Sequence, residues 1–165
     1  VIMGMVPTEK PLASLPFLDN ELVPVVPPGH PLLQQGTVSA QTFLDANLLM
    51  REQGSGSRLA LETHCQNQRL KVQASMEIGS NDAVKHAVMA GLGVAVLPKL
   101  SILPELQLGH LQLADVSGFP LRRSWCVVYP QAKHPTPAMR AFIDYVQQNI
   151  KQLEQLFMRR SAFPR

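Results

Sequence analysis

Apolar and polar positions follow two different periods along this chain. Glu21 to Val26 (ELVPVV), Leu48 to Arg51, Val94 to Leu97 and Ser124 to Tyr129 are short apolar runs bounded by turn residues, the pattern of buried strands. Ala74 to Ile78 alternates as a strand does, and a weaker strand surrounds Leu111 to Val116. Between these runs the spacing turns helical. Ser39 predicts a cap for a short helix over Ala40 to Leu44. Ser57 to about Asn67 brings Leu59, Leu61 and Cys65 to apolar positions, and Val84, Ala87, Val88 and Gly91 recur at helical spacing behind Ser80 and Asn81. Gly91-Leu92-Gly93 stops that helix. The last helix starts with Thr136 at the cap and Pro137 at the first turn, with Met139, Phe142, Ile143, Val146, Ile150 and Leu153 on one face. Strands alternating with helices predict an α/β sheet with helices on its faces.

The 165 residues, 45% of them hydrophobic, suffice for one ordinary domain or two small lobes. The chain opens inside the apolar run Val1 to Val6 and reads as a fragment beginning in mid-strand. The formal charge is +3 but dispersed, and only Met158 to Arg165 resembles a basic tail, too little to predict nucleic-acid binding by these residues. Cys65 and Cys126 lie far apart without CxxC spacing, which predicts neither a disulfide framework nor a zinc site; reduced, cytoplasmic thiols are the expectation. No apolar run approaches the roughly 18 residues that span a bilayer, and no signal-peptide pattern precedes the body. Neither a cofactor nor a metal is expected.

The stretch MREQGSGSRLALETH, Met50 to His64, packs glycines and hydroxyls into a strand-to-helix turn. A phosphate loop would need lysine after its second glycine, and here Ser57 is followed by Arg58. A dinucleotide loop would need a third glycine, and the nucleophile elbow GxSxG is also missing. What remains is a set of unpaired N–H groups at a helix start with two hydroxyls beside them, which suits an anionic or carbonyl group. The loop's own residues leave two readings, ligand contact and plain helix start. Gly79-Ser80-Asn81-Asp82 repeats the design after the next strand, so two helix starts are expected at the carboxyl ends of parallel strands. The chain offers little for catalysis. His30, His64, His86, His110 and His134 are scattered, with His30 read as a turn residue and His86 as solvated, and both cysteines sit at positions expected to be buried and inert.

The order strand, PPGHPL, short helix, strand, REQGSGSR, helix, EIGSNDAVKHAV, GLGVAVLP, strand and long helix resembles the effector-binding domain of LysR-type transcriptional regulators. Ser80 to Pro98 (SNDAVKHAVMAGLGVAVLP) carries most of the resemblance, and REQGSGSR is similar to the CbbR-type branch that regulates Rubisco operons. The resemblance implies a two-lobed fold of the type 2 periplasmic-binding-protein kind with lobe one incomplete. Residues 1–27 would be a remnant of lobe one and the first crossover, 28–128 lobe two, and 129–165 the second crossover, a return helix and the basic tail. The N-terminal winged helix-turn-helix of such regulators is absent from this chain. Gly4, Gly54, Ser55, Gly56, Ser57, Ser80 and Asn81 would contact the effector, Gly4 standing where relatives often place a polar residue. Val26, Pro27, Pro28, Tyr129 and Pro130 would form the hinge.

The resemblance further implies a small anionic metabolite between the lobes that favours one hinge angle over another, and it can do so only through unequal affinity for the two states. The partners implied are that metabolite, further copies of the chain as a dimer or tetramer, and promoter DNA through the missing N-terminal part, with no membrane. The helix from Ser57 to Asn67 and the strand Ala74 to Ile78 would face another subunit, with Met76 or surface leucines as the sign. Two rival readings remain: a periplasmic solute receptor of the same architecture, and an α/β enzyme, which would need an acid/base pair that the sequence does not show.

Overall fold

A computed structural model describes residues 2–3, 11–131 and 136–160, and in it the chain forms two units. Glu21–Leu121 make one of them; the chain before and after makes the other. Strand β1 (Ile2–Met3) and the long β2 (Leu12–Val26) come first, followed by α1 (Ala40–Leu44), β3 (Leu48–Arg51), α2 (Gly56–Asn67), β4 (Met76–Ile78) and α3 (Asn81–Met89). Strand β5 (Val94–Pro98), α4 (Leu103–Gln107), β6 (Gln112–Leu113), β7 (Leu121–Pro130) and α5 (Pro137–Arg160) complete the order.

In the Glu21–Leu121 unit the strands lie in the order β2, β5, β3, β4, with β6 also on β2. Strand β3 is parallel to both neighbours: Leu49 lies beside Met76 and Ala95, and Arg51 beside Ile78. Parallel neighbours need crossovers, and α2 and α3 supply them. The two faces of the sheet are covered, so β5 is apolar at every position from Val94 to Leu97 and buried throughout. Val25, Leu49, Val84, Val88, Ala95 and Leu97 meet in one core. Each of the valine and leucine side chains contributes about 1.5–3 kcal/mol on burial.

Local chemistry sets the ends of the helices. Ser39 caps α1 by accepting Thr42 N–H at 3.1 Å. Helix α3 ends as the glycines predict: Leu92 N–H donates to Ala87 O at 3.0 Å and Gly91 N–H to Val88 O at 2.9 Å, the paired bonds of a Schellman stop. Helix α4 is not foreseen by periodicity, being a single short turn opened by Pro104 behind the fully buried Ile102. The weak strand expected over Leu111 to Val116 is reduced to Gln112–Leu113, with Val116 bridging Val38 in parallel.

In the other unit β1 pairs antiparallel with β7, placing Ile2 beside Val127 and Met3 beside Cys126, and β7 also borders β2. Helix α5 buries Ile143 and Val146. Phe142, expected on the same face, is 48% exposed, because one residue is a 100° step around the helix and Ile143 takes the inward place. Cys126, expected inside a buried strand, is only half-buried.

The units change over at Asn20/Glu21 and Leu121/Arg122. Val26 ends β2, Pro27 and Pro28 form the turn that follows, and Tyr129 and Pro130 end β7. Asn20/Glu21 lies within the uninterrupted β2 and Leu121/Arg122 at the start of β7.

Candidate functional site

Strands β3, β4 and β5 run parallel, so their carboxyl ends lie on one side of the sheet, where ligands of open α/β sheets bind. The register of Arg51 beside Ile78 places two strand-to-helix loops next to each other. One runs from Glu52 to Ser55 into α2, the other over Gly79 and Ser80 into α3.

The first loop closes through Ser55 N–H to Glu52 O at 3.2 Å. Gly54 within it has φ +87, a left-handed conformation that glycine adopts without strain. Ser55 then takes the N-cap position of α2 with extended backbone, and its carbonyl accepts the first intrahelical bond from Leu59. Its hydroxyl makes no capping bond and no other hydrogen bond among the described residues, although only 9% of the residue is exposed. The N–H groups of Gly56, Ser57 and Arg58 precede that first bond and have no partner within the helix. A Cβ added at Gly54, Gly56 or Gly79 would meet nothing within 4 Å, so the backbone of both loops is open to approach. The helix dipole adds a partial positive charge at the same place.

Beneath the loops lies a layer of arginines. Arg51 Nε and Nη2 donate to the two oxygens of Glu52, and Arg51 Nη1 donates to Asn81 Oδ1 at 2.7 Å. Arg58 pairs with Glu62 one turn along α2 and with Glu77 on β4, each at 2.7 Å, and Nη1 also reaches Arg51 O at 3.0 Å. The hydrogen bond from Arg51 holds the Glu52 carboxyl below the usual carboxylate range, and those from Glu62 and Glu77 raise Arg58 above the ordinary arginine value.

The sequence-derived site residues fall into three groups. Gly54, Ser55, Gly56 and Ser57 come together at the start of α2. Ser80 is occupied, its hydroxyl accepting Ala83 N–H at 3.0 Å as the cap of α3, and Asn81 gives its side-chain oxygen to Arg51. Gly4 lies outside the described residues. Arg51 and Arg58 are the members that sequence reasoning missed. Both stand in REQGSGSR, but nothing in the spacing alone says that one arginine reaches across to the next loop. His30 lies in a turn, its Nδ1 accepting Leu32 N–H at 3.3 Å, and His86 is exposed on α3. Among the described residues no group of three or more histidine, cysteine, aspartate or glutamate side chains is arranged to hold a metal ion, and no helix is long and apolar enough to cross a membrane.

A parallel sheet whose adjoining helix starts carry unsatisfied donors defines a ligand-binding α/β module, and comparison with known proteins makes the class specific. Residues 1–151 match the LysR substrate binding domain family, to which this chain belongs. It is 40% identical over 145 residues to a RuBisCO operon transcriptional regulator of Acidithiobacillus ferrooxidans, covering 88% of this chain and 47% of that protein. It is 37% identical over 144 residues to the HTH-type transcriptional activator CmpR of Synechocystis sp. (strain ATCC 27184 / PCC 6803 / Kazusa), covering 87% of this chain and 47% of that protein. The chain thus spans about half the length of the curated relatives it matches. Among solved structures, the regulatory domain of Synechocystis PCC6803 CcmR in complex with 2-PG superposes with a TM-score of 0.81 at 33% identity, covering 91% of this chain and 72% of that one. The relatives are transcriptional regulators, so the chain is an effector-binding regulatory domain of the LysR type and the solute-receptor and enzyme readings fall away.

Proposed function

We propose that this domain senses a small anionic metabolite held at the start of α2 and that the intact protein is a cytoplasmic transcription regulator. The observation that carries the reading is the Ser55 hydroxyl, which makes no capping bond and has no hydrogen-bond partner among the described residues, beside the N–H groups of Gly56, Ser57 and Arg58 that have no partner within the helix. A phosphate or carboxylate oxygen satisfies such donors, and the dipole favours its charge. The regulatory domain of CcmR is in complex with 2-PG, which makes that compound the first to test. Bound metabolite shifts the intact protein toward the conformation it binds better, which alters DNA binding through a helix-turn-helix part outside this chain and hence transcription activation. The similarity to RuBisCO operon regulators favours an operon of carbon fixation as the target.

Titration calorimetry of the intact protein against 2-PG, inorganic phosphate, dicarboxylates and nicotinamide nucleotides tests this. Saturable binding of one of these anions that Ser55→Ala weakens is expected. Binding that Ser55→Ala leaves unchanged would remove the Ser55 hydroxyl from the site.

Assembly into dimers and tetramers belongs to the same proposal. Leu59 on α2 and Met76 on β4 are 47% and 46% exposed, and the Arg58 to Glu77 ion pair holds their two elements side by side. Leu59→Glu with Met76→Glu is expected to lower the molar mass of the intact protein in light scattering. An unchanged mass would place the subunit contact elsewhere.

A further inference from the structure

Arg51 is the last residue of β3, and its guanidinium is divided between the two loops. Nε and Nη2 donate to Glu52 at 2.7 and 2.8 Å, and Nη1 donates to Asn81 Oδ1 at 2.7 Å. Glu52 belongs to the loop that leads into α2, and its carbonyl accepts Ser55 N–H; Asn81 is the first residue of α3. The Arg51 carbonyl is held from the other side by Arg58, which also grips Glu62 and Glu77. These guanidinium side chains are largely buried, Arg51 being 18% and Arg58 11% exposed. A planar fork of five donors fixes two directions at once, which the single ammonium of lysine does not.

The pairing decides which end of the Asn81 amide is available. Arginine has donors and no acceptor, so the amide must turn its oxygen toward Arg51. That leaves Nδ2, the donor end, with no hydrogen-bond partner among the described residues. An amide locked this way offers an anion two N–H groups beside the start of a helix that favours negative charge.

We propose that Arg51 is a positioning residue of the effector site: it sets the start of α3 against the start of α2 and fixes the Asn81 amide with its N–H donors free for the anion. Arg51 acts through Asn81 and Glu52 rather than by touching the ligand. The proposal rests on the reading that an anion binds at the start of α2, and it adds Asn81 as a second wall whose orientation is set from β3.

The test is calorimetric titration of the intact wild-type protein, Arg51→Lys, Asn81→Ala, Asn81→Asp and the Arg51→Lys/Asn81→Ala double variant with 2-PG and with inorganic phosphate, each variant also melted without ligand. Arg51→Lys and Asn81→Ala are each expected to weaken binding on the order of tenfold, the scale of one hydrogen bond involving a charged group. The double variant is expected to lose less than the product of the two single losses, because both break the Arg51 to Asn81 contact. Asn81→Asp keeps an acceptor for Arg51 and therefore the melting temperature, but sets a carboxylate where the donor stood and loses binding further than Asn81→Ala. That split between stability and affinity is one a purely structural arginine would not produce. Wild-type binding with Asn81→Asp or Arg51→Lys at wild-type affinity, or with the single effects multiplying, overturns the proposal and leaves the functional reading standing. Failure of the wild type to bind either anion overturns both. Should Arg51→Lys not fold, the comparison of Asn81→Asp with Asn81→Ala decides alone.

Discussion

Ser55 and Ser80 occupy the same capping position at the starts of neighbouring helices, yet only Ser80 caps, its hydroxyl accepting Ala83 N–H at 3.0 Å while that of Ser55 bonds nothing among the described residues. The backbone of both is extended but differently turned, φ being −66 at Ser55 and −150 at Ser80, so the two hydroxyls start from different directions. One serine serves the fold. The other is free to serve a ligand.

The two serines should therefore separate under mutation. Ser80→Ala is expected to cost about 1 kcal/mol of stability, the usual worth of a serine cap. Ser55→Ala should leave the urea midpoint nearly unchanged and weaken anion binding instead. Equal losses of stability in the two variants would mean that the Ser55 hydroxyl helps hold α2 after all.

Gly93 is expected to tolerate no side chain. A Cβ there would run into the backbone oxygen of Asn47 and crowd Leu49, and Asn47, itself at φ +62, is tied to Leu92 O at 2.6 Å by its side chain. A backbone oxygen does not swing aside, so Gly93→Ala should destabilise by about 3 kcal/mol or more, at or beyond the usual cost of overpacking. Thermal melting measures it, and a loss under 1 kcal/mol would show that the β3 to β5 junction gives way easily.

How far the sequence carried these features depends on how local their causes are. The limits of β3 and of α1 were legible to the residue, since three apolar positions after a turn and a serine cap are signals of adjacent residues. Helix α2 and strand β5 were legible to within a residue for the same reason. Burial of a flanking residue such as Phe142 was not, because a repeat of 3.6 leaves neighbouring positions near the edge of a face and the packing partner decides between them. The GSGS loop was visible as a helix start with spare donors. Its support was not: Arg51 and Asn81 stand 30 positions apart and meet only through the pairing of β3 with β4. Nor could spacing tell that Ser80 would cap and Ser55 would not, since both precede a helix in the same way.

Lys85 joins α3 to α4. Its ammonium bonds Asp82 and Glu105, each at 2.8 Å, and the second Glu105 oxygen is buried without a partner among the described residues. Burial pulls Lys85 down, but the hydrogen bonds from Asp82 and Glu105 outweigh it and lift it above its ordinary value of 10.5. A raised lysine contributes stability that is complete below its unfolded pKa and fades as pH rises through the folded one. Asp82, held below 3.8 first by the Lys85 hydrogen bond, contributes above that value and fades as pH falls through the folded one. Lys85→Met is thus expected to cost roughly 2 kcal/mol, between the worth of exposed and buried pairs. The gap from wild type should stay level from about pH 5 to pH 10 and narrow on either side. Adding Glu105→Gln should recover part of it. A gap that changes steadily across neutral pH would place its origin in other groups.

Cys65 is fully buried, and burial pushes its thiol above the ordinary range, with the nearby Glu62 charge adding to the shift. Cys126 is shifted the same way by partial burial. Because the thiolate is the reacting form, iodoacetamide at neutral pH should modify Cys65 far more slowly in the native protein than after denaturation, with Cys126 the faster of the two. Rapid native labelling of Cys65, read by mass spectrometry, would show that α2 opens readily.

The parallel register that sets Arg51 beside Ile78 also separates what must be kept from what is free to change. Both loops rise from strand ends locked into a buried sheet, and a side chain placed at Gly56 or Gly79 would strike nothing. With the anion at the proposed site, exchanging residues 53–57 and 79–80 between regulators, with Arg51, Glu52 and Asn81 kept, is expected to change which anion is preferred while the sheet beneath stays the same.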